Sequence, residues 1–162
     1  MWTSALAALT LVAATAADAQ SAPPSMLGTW RGTYICLQGR TGLTLTIDRQ
    51  TQGQFSGYFY FYPPPDNPAL REGCYAVDGS VDLRGAVTVT AKDWITRPEN
   101  YVTVGLSGHL ALAGQTMSGN VVGAPGVVTQ CRQFGLNRQS AVVAIAGACL
   151  SGVLADPDLA AQ

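Results

Sequence analysis

Apolar and polar residues alternate along the middle of the chain, which is the pattern of β-strands with one buried face. In 43–49 (LTLTIDR) the apolar residues occupy every second position, and in 54–62 (QFSGYFYFY) phenylalanine alternates with tyrosine. No helical period interrupts the pattern before residue 139. The alternation predicts eight strands, at 29–37, 43–49, 54–62, 74–81, 86–92, 101–112, 116–122 and 130–138.

The lengths of the connections predict how these strands are arranged. The short links span 50–53, 82–85 and 113–115, and the long links span 38–42, 63–73, 93–100 and 123–129. Because alternate links of an up-and-down meander emerge at opposite ends, we expect the long loops to surround one open mouth. The sequence therefore predicts an all-β protein, an eight-stranded antiparallel up-and-down barrel in which the last strand closes against the first.

Both ends of the chain differ from this pattern. Residues 5–17 form an apolar run followed by Ala17-Asp18-Ala19, which is typical of a signal peptide, although no Lys or Arg precedes the run. An ordinary N-terminal helix is the alternative. We predict a signal peptide at 1–19, a flexible leader at 20–27, the barrel at 28–138 and an apolar tail at 139–162. The tail is expected to pack as a short helix or to remain irregular, since its glycines disfavour a helix.

Four cysteines remain after the predicted cleavage, and an even number in an exported chain indicates disulfides. A metal site is disfavoured because the chain has no C-x-x-C motif and its only histidine is His109. Cys36 and Cys131 lie at the mouth ends of the neighbouring first and last strands, so we predict that they pair. Cys74 is then left to Cys149 on the tail. Export and disulfides together predict a periplasmic or secreted protein.

Charge excludes two classes of partner. Of the ten acidic residues one, Asp18, lies in the predicted signal peptide, so nine acidic residues balance nine basic ones in the mature chain, with the signs interspersed. No basic patch is present to bind nucleic acid, and no polybasic segment points to an anionic membrane. The predicted mature chain also has no membrane span. We expect the partner to be a small ligand or a protein.

Catalytic and metal-binding patterns are weak. Alternation points His109 to solvent, and no G-x-S-x-G motif is present, so we expect no enzymatic activity and no cofactor. A hydrolase that uses carboxylates of the mouth loops is an open alternative. These carboxylates are Asp66, Glu72, Asp93 and Glu99. Asp78 and Asp82 fit turns better than a calcium loop.

Two groups of residues are candidate binding sites. The first lies in the proline-rich mouth loops and comprises Gln38, Arg40, Asn67, Trp94, Arg97 and Tyr101. Trp94 and Tyr101 are suited to stack on a sugar or a lipid, although Trp94 equally suits a plug of the mouth. The second is the stripe formed by Tyr58, Tyr60 and Tyr62, which suits a protein partner or self-association, or an ordinary cross-strand ladder.

These features predict an exported, non-catalytic binding module that takes a small apolar or sugar-like ligand or a protein. A periplasmic inhibitor that inserts a loop into a cell-wall hydrolase is the alternative. An open interior of a few hundred cubic ångströms would favour a ligand carrier, whereas a filled interior would favour a protein-interaction module.

Gly28-Thr29-Trp30 resembles the G-x-W start of lipocalins and avidins, and Arg138 resembles the arginine that lipocalins lay over that tryptophan. Both families are calycin-type eight-stranded barrels, so the resemblance implies that fold and a binding role. The pattern from Tyr34 to Leu43 also resembles small secreted bacterial domains. Trp30 and Cys36 are six residues apart on the first strand, so their side chains are expected on the same face. The resemblance implies that Trp30 points inward. A bridge from Cys36 to Cys131 would, however, lie more easily on the outside. A bulge near Gly32 would reconcile the two.

Overall fold

The computed structural model describes residues 22–111, 113–124 and 126–151. The predicted signal peptide at 1–19, the start of the leader and the end of the tail lie outside the described residues. The strands are β1 (Gly28–Cys36), β2 (Gly39–Thr51), β3 (Gln54–Tyr62), β4 (Gly73–Val81), β5 (Ala86–Thr96), β6 (Gly105–Ala111), β7 (Thr116–Val122) and β8 (Gln133–Ser140). Each strand pairs antiparallel with the next, and β8 pairs with β1. The prediction of an eight-stranded antiparallel up-and-down barrel is confirmed.

The interior of the barrel is filled with side chains. The inward positions carry aromatic and aliphatic residues that are fully buried, the largest of which are Trp30, Tyr75, Phe59 and Phe61. Phe59 stacks on Tyr75 with 4.7 Å between the ring centroids. Large side chains at the inward positions of a barrel of eight strands leave little interior space, so the core is a packed one.

The leader closes the base of the barrel. The indole Nε1 of Trp30 donates to the carbonyl of Met26 at 2.8 Å, and Met26 is itself fully buried. The guanidinium of Arg138 lies over the Trp30 ring and donates to the carbonyls of Ser25 and Leu27. Residues 22–27 are therefore packed against the barrel, which differs from the flexible leader that the prolines predicted.

Several strand boundaries differ from the prediction. β5 continues to Thr96, so Asp93 and Trp94 lie in a strand rather than in a mouth loop, and β8 begins only at Gln133. Two further differences have reasons of packing. β2 begins at Gly39, so its link to β1 is a two-residue turn and only three long loops surround the mouth, at 63–72, 97–104 and 123–132. Gly42 belongs to the strand because a Cβ there would lie 2.4 Å from the Tyr62 ring. β6 begins only at Gly105, since the hydroxyl of Tyr75 bonds both backbone groups of Val104.

The tail, residues 141–151, crosses the outside of the barrel as a strap. It has no regular secondary structure up to residue 146, forms a 3-10 turn at Gly147–Cys149 and is helical at Leu150 and Ser151, where the described residues end. Hydroxyls of Thr29, Thr46 and Thr96 donate to strap carbonyls at 2.7–3.0 Å. The strap is thus an ordered part of the outer wall. No helix within the described residues has the length and apolar character needed to cross a lipid bilayer.

Both predicted disulfides, Cys36–Cys131 and Cys74–Cys149, are present. Two disulfides indicate folding in an oxidising, extracytoplasmic environment. At Gly32 itself there is no bulge, because β1 pairs with β2 without interruption from Gly28 to Cys36 and with β8 in regular register from Trp30 to Tyr34. The pairing with β8 is irregular only between Thr29 and Trp30. Trp30 and Cys36 both face the interior, and Cys131 reaches inward from the loop that precedes β8. The prediction of an outward-facing bridge was therefore wrong.

Candidate binding site at the barrel mouth

A cleft of about 200 Å³ opens at the mouth, directly above the filled core. We call it the first cleft. Its lining is largely aromatic and aliphatic, and it consists of Tyr34, Cys36, Gln38, Phe61, Tyr75, Asn100, Tyr101, Val102, Val104 and Cys131. β1, β3 and β4 position the deep residues, while the loop 97–104 supplies the outer ones. The cleft is therefore built partly on rigid strands and partly on a loop.

The aromatic wall of the first cleft is held by specific contacts. Tyr101 stacks on Phe61 with 5.4 Å between the ring centroids and 13° between the planes. The Tyr75 hydroxyl donates to the Val104 carbonyl at 2.8 Å, which ties the loop to the core. Burial raises the pKa of Tyr75 well above its usual value, and burial likewise raises the pKa of Tyr34. Both phenols are thus neutral at physiological pH.

Two primary amides, those of Gln38 and Asn100, are the only polar side chains other than tyrosine among the described lining residues. None of the lining residues carries a charge. Asn100 has a left-handed backbone with φ of 64°, a conformation that asparagine tolerates better than most residues. The first cleft therefore combines an apolar wall with neutral hydrogen-bonding groups at its opening.

A second cleft of about 170 Å³ adjoins the first. The two clefts share the Cys36–Cys131 disulfide together with Gln38, Val102 and Val104. Large apolar side chains are exposed around it: Leu37 (78%), Val102 (72%), Val127 (57%) and Val128 (94%). We call these four residues the apolar rim. They belong to three separate mouth connections, so the fold gathers on one surface residues that are distant in sequence.

The predicted mouth residues divide between ligand-facing and structural positions. Gln38 and Tyr101 line the first cleft. Arg40 forms an ion pair with Asp66 at 2.8 Å, and this guanidinium lowers the pKa of the Asp66 carboxyl. The Asn67 amide donates to the carbonyls of Gln38 and Arg40. Arg40 and Asn67 thus fasten the proline-rich loop to the β1–β2 turn and do not line the clefts.

Trp94 supports the aromatic wall without lining either cleft. Its ring packs edge-on against Tyr75 and Phe61, with centroid distances of 5.1 and 6.1 Å. The guanidinium of Arg97 lies 5.8 Å from the Trp94 ring centre, within range of a cation–π contact. Trp94 also lines a separate cleft on the wall of the barrel, together with Asp78 and Asp93.

The strap covers part of the tyrosine stripe. Tyr58 packs with the Cys74–Cys149 bridge and is only 6% exposed, so it is not available to a partner. Tyr60 and Tyr62 remain partly exposed and stack at 5.3 Å. The Tyr60 hydroxyl donates to Glu72 at 2.5 Å, and burial together with this carboxylate raises the pKa of Tyr60 to about 12. The stripe is therefore reduced to two residues.

The predicted mouth carboxylates, Asp66, Glu72, Asp93 and Glu99, do not converge on the two clefts. None of the four predicted carboxylates is among the described residues that line either cleft. His109 is exposed on the outer face of β6, as alternation predicts. No group of three or more His, Cys, Asp or Glu side chains within the described chain is arranged to hold a metal ion.

Several residues of the clefts were missed by sequence reasoning. Phe61 belongs to the alternating run of β3, whereas Tyr34 and Tyr75 were assigned no face, and alternation alone does not say which interior residues reach the open end. Asn100 and Val128 lie in loops without a period. Gly123, Gly126 and Asn100 are residue types that favour turns and loops, but none of them indicates a site.

The fold defines a closed eight-stranded antiparallel barrel with a small open mouth. Comparisons of the chain with protein-family models, with curated proteins and with solved structures gave no match. The site geometry is therefore the basis for a functional proposal.

Proposed function

We propose that this protein is an exported, non-catalytic binding module that docks a protein partner at the mouth of its barrel. Two disulfides and the predicted signal peptide at 1–19 support a periplasmic or secreted location. The contact between Arg138 and Trp30, 5.2 Å from the guanidinium carbon to the ring centre, supports a calycin-like origin.

The apolar rim is the observation that carries this proposal. Four exposed large apolar residues surround two small clefts, whereas isolated exposed apolar residues need no explanation. Pockets that enclose a whole small molecule usually measure roughly 300–1,000 Å³. Clefts of about 200 and 170 Å³ above a filled interior are better suited to single side chains of a larger partner.

The loop 123–132 favours a narrower form of the proposal, an inhibitor that inserts this loop into a cell-wall hydrolase. Val127 and Val128 are exposed on the loop, and the disulfide of Cys131 fixes its base. The backbone of Arg132 also donates to the Ile35 carbonyl at 2.8 Å. A loop anchored in this way loses less conformational entropy when it binds. A hydrolase gains no such support, because the mouth carboxylates lie away from the clefts.

Native mass spectrometry of the protein purified from its own compartment tests the docking proposal. We expect a complex with a second protein that is lost in Val102→Asp and Val128→Asp, because each places a charge in an apolar contact. Val142→Asp is the matched control, since Val142 lies on the strap and is as exposed as Val102, at 72%. The absence of any protein partner, or equal loss of the complex in the control, would contradict protein docking at the rim.

Inhibition of a lysozyme-type hydrolase tests the narrower form. We expect Val128→Asp to weaken inhibition by at least about tenfold, as is common for a central apolar contact. Leu83→Asp serves as a control, because Leu83 is exposed at the opposite end of the barrel. Equal inhibition by the wild type and Val128→Asp would exclude the loop as the inserting element.

A further inference from the structure

We infer that the first cleft is a binding subsite for one ring of a neutral saccharide. This inference goes beyond protein docking at the apolar rim and does not depend on it. It rests on the aromatic wall, on the amides of Gln38 and Asn100 and on the lack of charge among the described lining residues.

The size and the wall of the cleft suit one six-membered ring. A cavity of roughly 150 Å³ accommodates one benzene molecule, so about 200 Å³ accommodates one ring with substituents. Tyr101, stacked on Phe61, presents aromatic surface whose negative quadrupole attracts the polarised C–H bonds of a sugar face. Val102 and Val104 provide apolar contact for the rest of the ring.

The two amides provide polar recognition. A primary amide offers two donor hydrogens and a carbonyl acceptor, and a sugar hydroxyl likewise donates and accepts. No hydrogen bond engages the side chain of Gln38 or Asn100 within the described residues, although the backbone carbonyl of Gln38 accepts from Asn67. By contrast, the Tyr75 hydroxyl is already bonded to both backbone groups of Val104. The Tyr101 hydroxyl accepts from the backbone N–H of Arg71, and the Tyr34 hydroxyl bonds the side chain of Thr41. Among the described lining residues, the side-chain amides are thus the polar groups without a partner in the protein.

The lack of charged residues in the lining of the first cleft favours a neutral ring. The cations of the mouth do not line the cleft: Arg40 pairs with Asp66, Arg97 lies over Trp94, and neither Arg71 nor Arg132 is among the described lining residues. An ammonium or carboxylate that entered the cleft would lose hydration without gaining a partner, which is unfavourable. We therefore expect neutral saccharides to bind in preference to amino sugars and uronic acids.

Nuclear magnetic resonance of the full chain tests the inference with defined probes. The neutral probes are cellobiose and N,N′-diacetylchitobiose, the charged probes are glucosamine and glucuronate, and N-acetylphenylalanine amide represents a protein side chain. We expect a neutral probe to shift the side-chain amide resonances of Gln38 and Asn100. The charged probes should bind at least about tenfold more weakly than the neutral one.

Two variants locate the site. Gln38→Ala and Asn100→Gly should each weaken binding of the neutral probe by about fivefold to tenfold, the loss expected for a hydrogen bond. Glycine is chosen at position 100 because it keeps the left-handed backbone without strain. Gln133→Ala is the control, since Gln133 is exposed near the mouth but lines neither cleft.

The inference would be overturned if neither neutral probe shifted the amide resonances up to about 50 mM, or if the charged probes bound as tightly as the neutral one. It would also be overturned if N-acetylphenylalanine amide bound more tightly than the neutral probes, or if both variants bound the neutral probe as the wild type does. These failures are distinct from a failure of the docking proposal. Loss of a captured protein in Val128→Asp without any saccharide shift would leave protein docking supported and remove the saccharide subsite.

Discussion

At the base of the barrel, the side chain of Arg138 contacts both the core and the segment 22–27. Arg138 covers the buried Trp30 ring and donates to carbonyls of Ser25 and Leu27. The resemblance to lipocalins implied the first contact. The second was not predictable, because nothing in the local pattern of 22–27 shows that this segment folds back beneath the barrel.

Arg138→Lys should destabilise the protein by about 1–2 kcal/mol. Lysine keeps the charge but cannot donate to two carbonyls with a planar fork or cover the indole equally well. Urea unfolding measures the loss, and Arg84→Lys in the exposed turn after β4 should leave the free energy of unfolding unchanged. Equal stability of Arg138→Lys and the wild type would show that the guanidinium contacts contribute little.

Tyrosine burial predicts sensitivity to alkaline pH. The pKa of Tyr60 is raised to about 12 from its ordinary value of 10, so the folded state holds this proton more tightly than the unfolded state. The resulting stability is fully present below about pH 10 and is lost as the pH rises toward 12. Tyr60→Phe should therefore have a shallower decline over this window, as followed by urea unfolding at each pH. An unchanged slope would contradict the assignment to Tyr60.

At the scale of elements, alternation was sufficient where a strand has one buried and one exposed face. β3 matches the predicted 54–62 in full. The prediction failed where a distant residue decides the structure. The Tyr62 ring over Gly42 extends β2, the Tyr75 hydroxyl diverts residues 101–104 from β6, and the strap buries Tyr58. Each of these depends on a contact between segments, which a local pattern does not contain.

Removal of the bridge that fixes the strap should cost about 2–4 kcal/mol. The two cysteines are 75 residues apart in sequence. The double variant Cys74→Ala/Cys149→Ala removes the cross-link between them and thereby raises the conformational entropy of the unfolded chain. Thermal unfolding measures the loss, and hydrogen exchange should show faster exchange in the strap. Thr46→Val, which removes one hydroxyl contact to the Ala144 carbonyl, should cost only about 1 kcal/mol. An unchanged melting temperature in the double variant would contradict a structural role for the strap.

For the whole molecule, the connection lengths predicted a closed barrel because the long links gather at one end. The β1–β2 link, a two-residue turn at that same end, is the exception. The connection lengths did not predict a filled interior, since alternation identifies the inward face but not the volume that remains inside it. The filled interior follows from the size of particular residues, chiefly Trp30, Phe59 and Tyr75. Their packing, rather than the number of strands, restricts the open space to the mouth.

Phe59→Ala should convert the packed core into a cavity. Phe59 is fully buried between Tyr34 and Tyr75, so its truncation should destabilise the protein by about 3–5 kcal/mol. Benzene should raise the melting temperature of the variant by binding the cavity, and by more than it raises that of the wild type or of Tyr62→Ala, in which only the mouth clefts are open. A rise in the wild type equal to that of Phe59→Ala would show that the interior is not filled.

The order of the cysteines has a consequence for maturation. The bridges Cys36–Cys131 and Cys74–Cys149 interleave along the chain, so both N-terminal cysteines precede both of their partners. A chain that emerges from a translocon with its amino terminus first presents Cys36 and Cys74 to an oxidant while residue 131 has yet to appear. Oxidation in order of emergence would join the wrong two thiols. Correct maturation therefore requires either late oxidation or a disulfide isomerase that exchanges the first bridge for the native pair.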